Sequence, residues 1–146
     1  MKKYVLVDID GTITKVGARL ECLNSSPKDW DSFYDRCAED EPKVDIISLV
    51  QMLSARYEIL LCTGRRESCR EDTVAWLWKN NFPKAKYLMM RGNGDFRHDT
   101  ILKPELLSRA GIFPTEIAYA LEDRNSMVEK WRELGITCLQ VASGDF

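Results

Sequence analysis

What most constrains the fold is a repeated alternation of short apolar runs with longer segments of helical periodicity. Tyr4–Val7, Tyr57–Cys62, Ala85–Met90, Glu116–Leu121 and Thr137–Val141 read as strands, and the apolar ones are built like strands covered on both faces. Between them, residues 44–55 carry Ile46, Leu49, Val50 and Leu53 on one stripe, and residues 67–80 are expected to turn Val74, Leu77 and Trp78 inward. A further helix is expected to begin at Lys103-Pro104 and stop at Gly111. The last one opens with Ser126 and Glu129 as a capping box, buries Met127, Val128, Trp131 and Leu134, and ends at Gly135. Strands alternating with helices in this way predict an α/β fold with a doubly wound, mostly parallel sheet. One domain over residues 1–146 is expected, since the chain is long enough to bury a real core and has no repeat or linker.

Residues 13–42 break the rhythm. They are rich in charge, punctuated by Pro27 and Pro42, and read as a small cap-like insertion after the first strand. Within them Ser26-Pro27 should start a short helix with Trp30, Phe33 and Tyr34 on one face, which reads first as an anchor to the core and second as a surface for stacking on a nucleobase.

The strand ends carry the chemistry. Asp8-Ile9-Asp10-Gly11-Thr12 follows the first strand directly, and in open α/β sheets ligands bind at the carboxyl ends of strands. Asp-Gly is also an ordinary turn dipeptide, so the pair is informative only with its context. Two carboxylates one residue apart in extended chain point to one side, where they can share a divalent cation or divide nucleophile and acid duties. Thr63-Gly64-Arg65 is expected as a turn after the second strand, offering a hydroxyl, a close backbone approach and a guanidinium to a phosphate group. Arg91 to Asp99 reads as a polar surface loop containing the sole histidine, His98, to which no chemical role is given. Lys103 is expected at a helix amino end, where its charge needs nearby carboxylates or a bound anion. Glu122-Asp123 supplies a second acidic pair at a strand terminus.

Composition excludes several classes. A net charge of −2 lacks the basic footprint of a protein that grips long nucleic acid, although residues 62–103 taken alone carry +4. Five cysteines, with no Cys-x-x-Cys pair and one histidine, fit reduced thiols in a cytoplasm better than a disulfide framework or a zinc site. The apolar run at the amino terminus is too short for a signal core or a membrane span, so neither export nor anchoring is expected.

Taken in order, Asp8-x-Asp10-Gly11-Thr12, Thr63-Gly64-Arg65, Lys103 and Glu122-Asp123 resemble the haloacid dehalogenase-like phosphohydrolases over essentially the whole chain. The resemblance implies Asp8 as nucleophile, Asp10 as acid/base, Thr63 on the phosphoryl group, Lys103 balancing charge, and Asp8 with Asp123 holding magnesium, joined by the Asp10 main-chain carbonyl. It also implies that Asp10 starts the reaction protonated. A narrower resemblance, to the 3′-phosphatase domains of phage polynucleotide kinase-phosphatases, rests on Val128-Glu129-x-Trp131-Arg132-x-x-Gly135, the run Gln140–Phe146, Arg19, Arg65 and Arg97-x-Asp99-x-x-x-Lys103. It implies Arg19, Gly64, Arg65, Arg97 and Asp99 as substrate contacts and a DNA or RNA 3′-phosphate as substrate. Glu122 departs from the aspartate usual in that family, which leaves its share in metal binding open between direct contact and contact through water. No Gly-x-x-x-x-Gly-Lys-Ser/Thr loop occurs, so no ATP-dependent kinase step is expected and a separate kinase or ligase partner stays open. The leading expectation is a magnesium-dependent 3′-phosphomonoesterase. The alternatives are a 5′-mononucleotide phosphatase and a non-catalytic module binding phosphate and metal.

Overall fold

The computed structural model describes residues 1–146, the side chain of Ala18 excepted. In chain order the elements are β1 (Tyr4–Val7), β2 (Thr14–Lys15), α1 (Trp30–Asp35), β3 (Glu41–Pro42), α2 (Val44–Leu53), β4 (Glu58–Arg66) and α3 (Arg70–Lys79), followed by β5 (Ala85–Arg91), α4 (Asp99–Arg109), β6 (Ile117–Glu122), α5 (Asn125–Glu133) and β7 (Cys138–Gln140). Five strands form one sheet in the order β5-β4-β1-β6-β7, and every pairing in it is parallel. The chain runs outward from β1 to one edge, then returns across to β6 on the other side. That reversal leaves β1 central, with the carboxyl ends of β4 and β6 flanking its own.

Parallel strands need covering on both faces, and alternate residues of β1 show how it is done. Tyr4 and Leu6 face a cluster with Leu60, Leu107, Met127, Val128 and Trp131, which puts α4 and α5 on one side. Val5 and Val7 face Ile47, Val50, Leu61 and Trp76, which puts α2 and α3 on the other. The result is the doubly wound α/β architecture expected from the strand and helix alternation.

Residues 13–42 connect β1 to α2. A two-stranded antiparallel ribbon, Thr14 opposite Pro42 and Lys15 opposite Glu41, closes their neck. Phe33, Tyr34 and Cys37 are buried against Cys69 and Met90, so most of the aromatic face anchors the segment. Trp30, 38% exposed, is left at the rim. Its helix begins later than Ser26-Pro27 suggests, because the Asp29 side chain accepts the Ser32 N–H and caps it.

Four local expectations are corrected. Thr63-Gly64-Arg65 is not a turn but part of β4, at an irregularity between Cys62 and Arg66 before the strand re-pairs with Arg91. In α3 the buried side is Thr73 and Trp76, while Val74 and Trp78 are 50% and 86% exposed. The Trp76 indole N–H donates to the Asp40 carbonyl at 2.8 Å, a polar tie that sets the helix phase where apolar periodicity is ambiguous. Helix α4 starts at Asp99, capped by the His98 ring accepting from the Thr100 N–H, so Lys103 lies a turn inside it. Finally, Ser126 makes no cap: α5 starts at Asn125, the Ser126 hydroxyl is buried without a partner, and Leu134 is 37% exposed.

Candidate active site

Asp8 is carried directly off β1 and its N–H donates to the Leu121 carbonyl, which fixes it against β6. The loop that follows turns back at once, with the Ile9 carbonyl accepting from Thr12, Ile13 and Thr14, and Gly11 at a φ of 81°. Gly11 has a second reason to lack a side chain, since a Cβ there would lie 2.0 Å from Asp123 Oδ2. The two acidic loops are therefore packed together backbone to carboxylate.

One oxygen of Asp8 accepts from Lys103 Nζ at 2.8 Å and the other from the Thr12 hydroxyl at 2.8 Å. The Lys103 ammonium also donates to Glu122 Oε2 at 3.0 Å, and Thr12 reaches Asp123 Oδ1 at 3.4 Å. Asp8, Glu122 and Asp123 each offer a carboxylate oxygen, all within 4.8 Å of one another. Three buried carboxylates thus face one buried ammonium. Burial, then the neighbouring Asp8, pushes the Asp123 carboxyl up to about 7 and lifts Glu122 well above the carboxylate range. Burial works against the charge of Lys103, but Asp8 and Glu122 outweigh it and hold the ammonium charged. The pocket is short of positive charge, and its donors are all oxygen, the set that suits a hard divalent cation such as magnesium rather than zinc.

Asp10 belongs to a different group. Its carboxylate accepts from Arg19 Nη2 at 2.7 Å and from Arg65 Nη2 at 2.8 Å, and both guanidiniums also reach Asp40, at 2.5 and 3.3 Å. Burial would raise Asp10, yet Arg65 and Arg19 overcome it and hold the carboxyl down at about 2. In this state Asp10 is ionised, whereas the sequence reading requires a proton on it from the outset.

Thr63 is buried and its hydroxyl accepts the Arg65 N–H at 3.1 Å. Leu61 is paired with Val7, so Thr63 falls one residue beyond the level of Asp8 at the same end of the sheet. The Gly64 carbonyl accepts from the Tyr34 hydroxyl at 3.0 Å and from Arg91 Nε at 2.9 Å, and a Cβ on Gly64 would meet Asp99 Oδ1 at 2.8 Å. Asp99 pairs with Arg91 at 2.5 Å and Arg124 at 3.4 Å. Arg97 is turned elsewhere, bonded to Asp95 and Glu105. The geometry thus gathers Asp8, Lys103, Glu122 and Asp123 into one cluster and Asp10, Arg19 and Arg65 into a second. Gly64 and Asp99 lie beside them, and Arg97 stands apart.

Sequence reasoning missed Asp40 and Arg91. Asp40 sits in Glu39-Asp40-Glu41, which looks like a solvated acidic run, and Arg91 looks like a loop residue. Only the fold reveals that the Asp40 side chain is 3% exposed between two guanidiniums.

A parallel sheet whose central strand ends in Asp-x-Asp, with a threonine, a lysine and an acidic pair from neighbouring elements, defines a haloacid dehalogenase-like phosphatase. Within that class the model of the polynucleotide kinase PNKP phosphatase domain matches residues 2–146, and the chain belongs to that family. A protein of Autographa californica nuclear polyhedrosis virus, named as a bifunctional polynucleotide kinase/RNA ligase, is 30% identical over 139 residues, covering 92% of this chain and 18% of the viral one. A solved chain of the Pnkp1/Rnl/Hen1 RNA repair complex is 29% identical with a TM-score of 0.85, over 100% of this chain and 44% of that one. A haloacid dehalogenase-like hydrolase of Streptococcus pneumoniae shares the fold, with a TM-score of 0.69 at 17% identity over 95% of this chain and 84% of that one. The chain spans less than half the length of the first two relatives. No helix of the described residues is long and apolar enough to cross a membrane.

Proposed function

We propose that the chain is a magnesium-dependent phosphomonoesterase that removes 3′-phosphates from polynucleotide ends through a phosphoryl group carried on Asp8. The observation that carries this reading is the Asp8 carboxylate set between Lys103 and Thr12 and within reach of Glu122 and Asp123, while Asp10 stands two residues on among arginines. Asp8, Asp123 and the Asp10 carbonyl would hold the metal, with Glu122 bound directly or through water. The ion would supply positive charge to the transferring phosphoryl oxygens and to the carboxylates.

An Asp8 oxygen attacks phosphorus, the P–O3′ bond breaks, and the leaving oxygen takes a proton from Asp10. Water then attacks the phosphoryl group, giving its proton to Asp10, and the P–O bond to Asp8 breaks to release phosphate. Attack by an anion on an anionic ester needs positive charge held in place, which Lys103 supplies beside the nucleophile. Arg19 and Arg65 hold Asp10 ionised. An incoming phosphate competes for those guanidiniums and adds negative charge nearby, which raises Asp10 and lets it carry the proton that the ester monoanion brings. In this reading Thr63 contacts the phosphoryl group, and Gly64 and Asp99 contact the substrate beside it.

The choice of nucleic acid draws on the relatives, whose names join a polynucleotide kinase to an RNA ligase and to an RNA repair complex, and the 3′ position draws on the resemblance to 3′-phosphatase domains carried by the sequence. Kinase and ligase steps would belong to other segments or partners, and the reading places the chain's work in the cytoplasm. The test is a panel of a 3′-phosphorylated oligonucleotide and free 3′- and 5′-mononucleotides, with magnesium and with chelator. Metal-dependent phosphate release from the oligonucleotide is expected, and Asp8→Asn is expected to abolish it with the fold intact by circular dichroism. Much faster release from the 5′-mononucleotide would move the assignment to a nucleotide phosphatase. Tight binding of the 3′-phosphate without release would make the chain a binding module.

A further inference from the structure

An aromatic and cationic cluster at the rim of the site is not used by the chemistry above. The Arg66 guanidinium lies 5.2 Å from the centroid of the Tyr34 ring and 5.9 Å from that of Phe96, bridging α1 to the loop after β5. Trp30 stacks on Tyr34 with centroids 5.9 Å apart and 23° between the planes, and Lys28 Nζ stands 5.8 Å from the Trp30 ring. The Tyr34 hydroxyl donates to the Gly64 carbonyl, so the cluster is tied to the stretch of β4 that carries Thr63 and Arg65.

Packing accounts for Phe33 and Tyr34, which are buried, but not for Phe96, which is 80% exposed. Nor is Phe96 on a loose loop. The Arg91 guanidinium donates to the carbonyls of Asp95 and Arg97 at 3.2 and 2.6 Å, on both sides of Phe96, while Arg97 is bonded back to Asp95. A pinned loop therefore presents a bare ring beside a guanidinium held by the exposed Asp31 carboxylate, which an incoming phosphate can displace, and an indole stands beyond it with the Lys28 ammonium near. Rings alone would suit any apolar partner. Rings interleaved with cations suit a polyanion that carries flat bases.

We propose that Phe96, Arg66 and Trp30 form a platform on which the nucleobases next to the scissile phosphate stack, so that the chain selects a single-stranded end with bases over the same phosphate on a base-free end. The proposal rests on the phosphatase reading but fails separately from it. It also gives residues 13–42 a share in substrate choice through Trp30.

The test uses the whole chain carrying Asp8→Asn, so that binding is read without turnover. Its affinity is measured by anisotropy for a labelled 3′-phosphorylated oligonucleotide and for one of equal length and charge with abasic sites at the last two positions. The base-bearing strand is expected to bind on the order of tenfold tighter, and Phe96→Ala to remove most of that preference, whereas Phe96→Trp retains it. Trp30→Ala should lower it too. Because Phe96 is on the surface, its substitution is expected to leave the melting temperature in place, which circular dichroism checks. Equal affinity for the two strands, or a preference untouched by Phe96→Ala and Trp30→Ala, overturns the platform. If the chain with Asp8 restored frees phosphate while that happens, the phosphatase reading survives alone. If it frees none while the variants still erase the preference, the platform survives alone. Binding to neither strand, or to an apolar peptide instead, overturns the platform as well.

Discussion

At the scale of single residues, the most informative side chain is Asp10, because its surroundings set the sign of an acid titration. Burial would raise it and Arg65 and Arg19 lower it, with the net result a drop from an ordinary 3.8 to about 2. A depressed folded-state value means that the network's contribution is complete above the unfolded value near 4 and is lost as pH falls through about 2. That drop corresponds to about 2 kcal/mol, an order-of-magnitude figure for a group with 19% of its side chain exposed. Urea unfolding of the parent and of Asp10→Asn, compared from about pH 5 down to about 2, is therefore expected to show the parent losing about 2 kcal/mol more than the variant. Parallel losses in the two proteins would mean that Asp10 is not held by the arginines in solution. The identity of Asp10 and Arg65 was legible in the sequence but this state was not, since a requirement for a protonated acid says nothing about which guanidiniums reach it.

At the scale of elements, the same network is a staple. Arg19 and Asp40 lie near the two ends of the insertion, and both reach the Asp10 and Arg65 pair of the core. The short ribbon of β2 and β3 adds only Thr14 opposite Pro42 and Lys15 opposite Glu41 to close the neck. Asp40→Ala leaves two buried guanidiniums sharing one carboxylate, and breaking a buried pair in this way costs roughly 3–5 kcal/mol. The expected signature is local as well as global: limited proteolysis should cut within residues 17–40 faster in the variant, with mass spectrometry locating the cuts. Cleavage at the parent's rate would deny Asp40 a role in holding the insertion. Elements also show where sequence reading stops. The strands and α2 were legible because apolar runs and periodicity there follow burial, although the buried Ile47 of α2 falls outside the stripe read from the sequence. The face of α3 was not, because Val74, Leu77 and Trp78 fit a helical stripe as well as Trp76 does, and the Trp76 bond to Asp40 crosses from a distant segment. Thr63-Gly64-Arg65 looked like a turn because of its glycine, but that glycine serves close approach to Asp99 within β4. The start of α4 was missed because Lys103-Pro104 is a strong helix opening, while the His98 cap carries no sequence signature.

At the scale of the whole molecule, the acidic cluster crowds like charges at a cost in stability, and the proposed divalent cation would offset that cost. Burial and Asp8 raise Asp123 to about 7, so the folded chain holds a proton there that the unfolded chain, with its ordinary 3.8, has released. Without metal the sign is then opposite to that of Asp10: stability falls as pH climbs from about 4 toward 7 and stays low above it. A cation that binds the folded cluster replaces that proton, and at a free concentration about 100-fold over its dissociation constant it adds about 2.7 kcal/mol. For a chain of this length that corresponds to a rise in melting temperature of roughly 5–10 °C. Thermal melts with magnesium and with chelator should therefore differ most above about pH 7 and least near pH 5, where protons compete for the same oxygens. Asp123→Asn removes one of three crowded carboxylates, so without metal the variant is expected to melt above the parent, and magnesium should add little to it. The two effects arise at one position with opposite signs, and a general loss of packing gives neither. An equal magnesium increment in parent and variant would place the ion somewhere other than the cluster formed where β1 and β6 end.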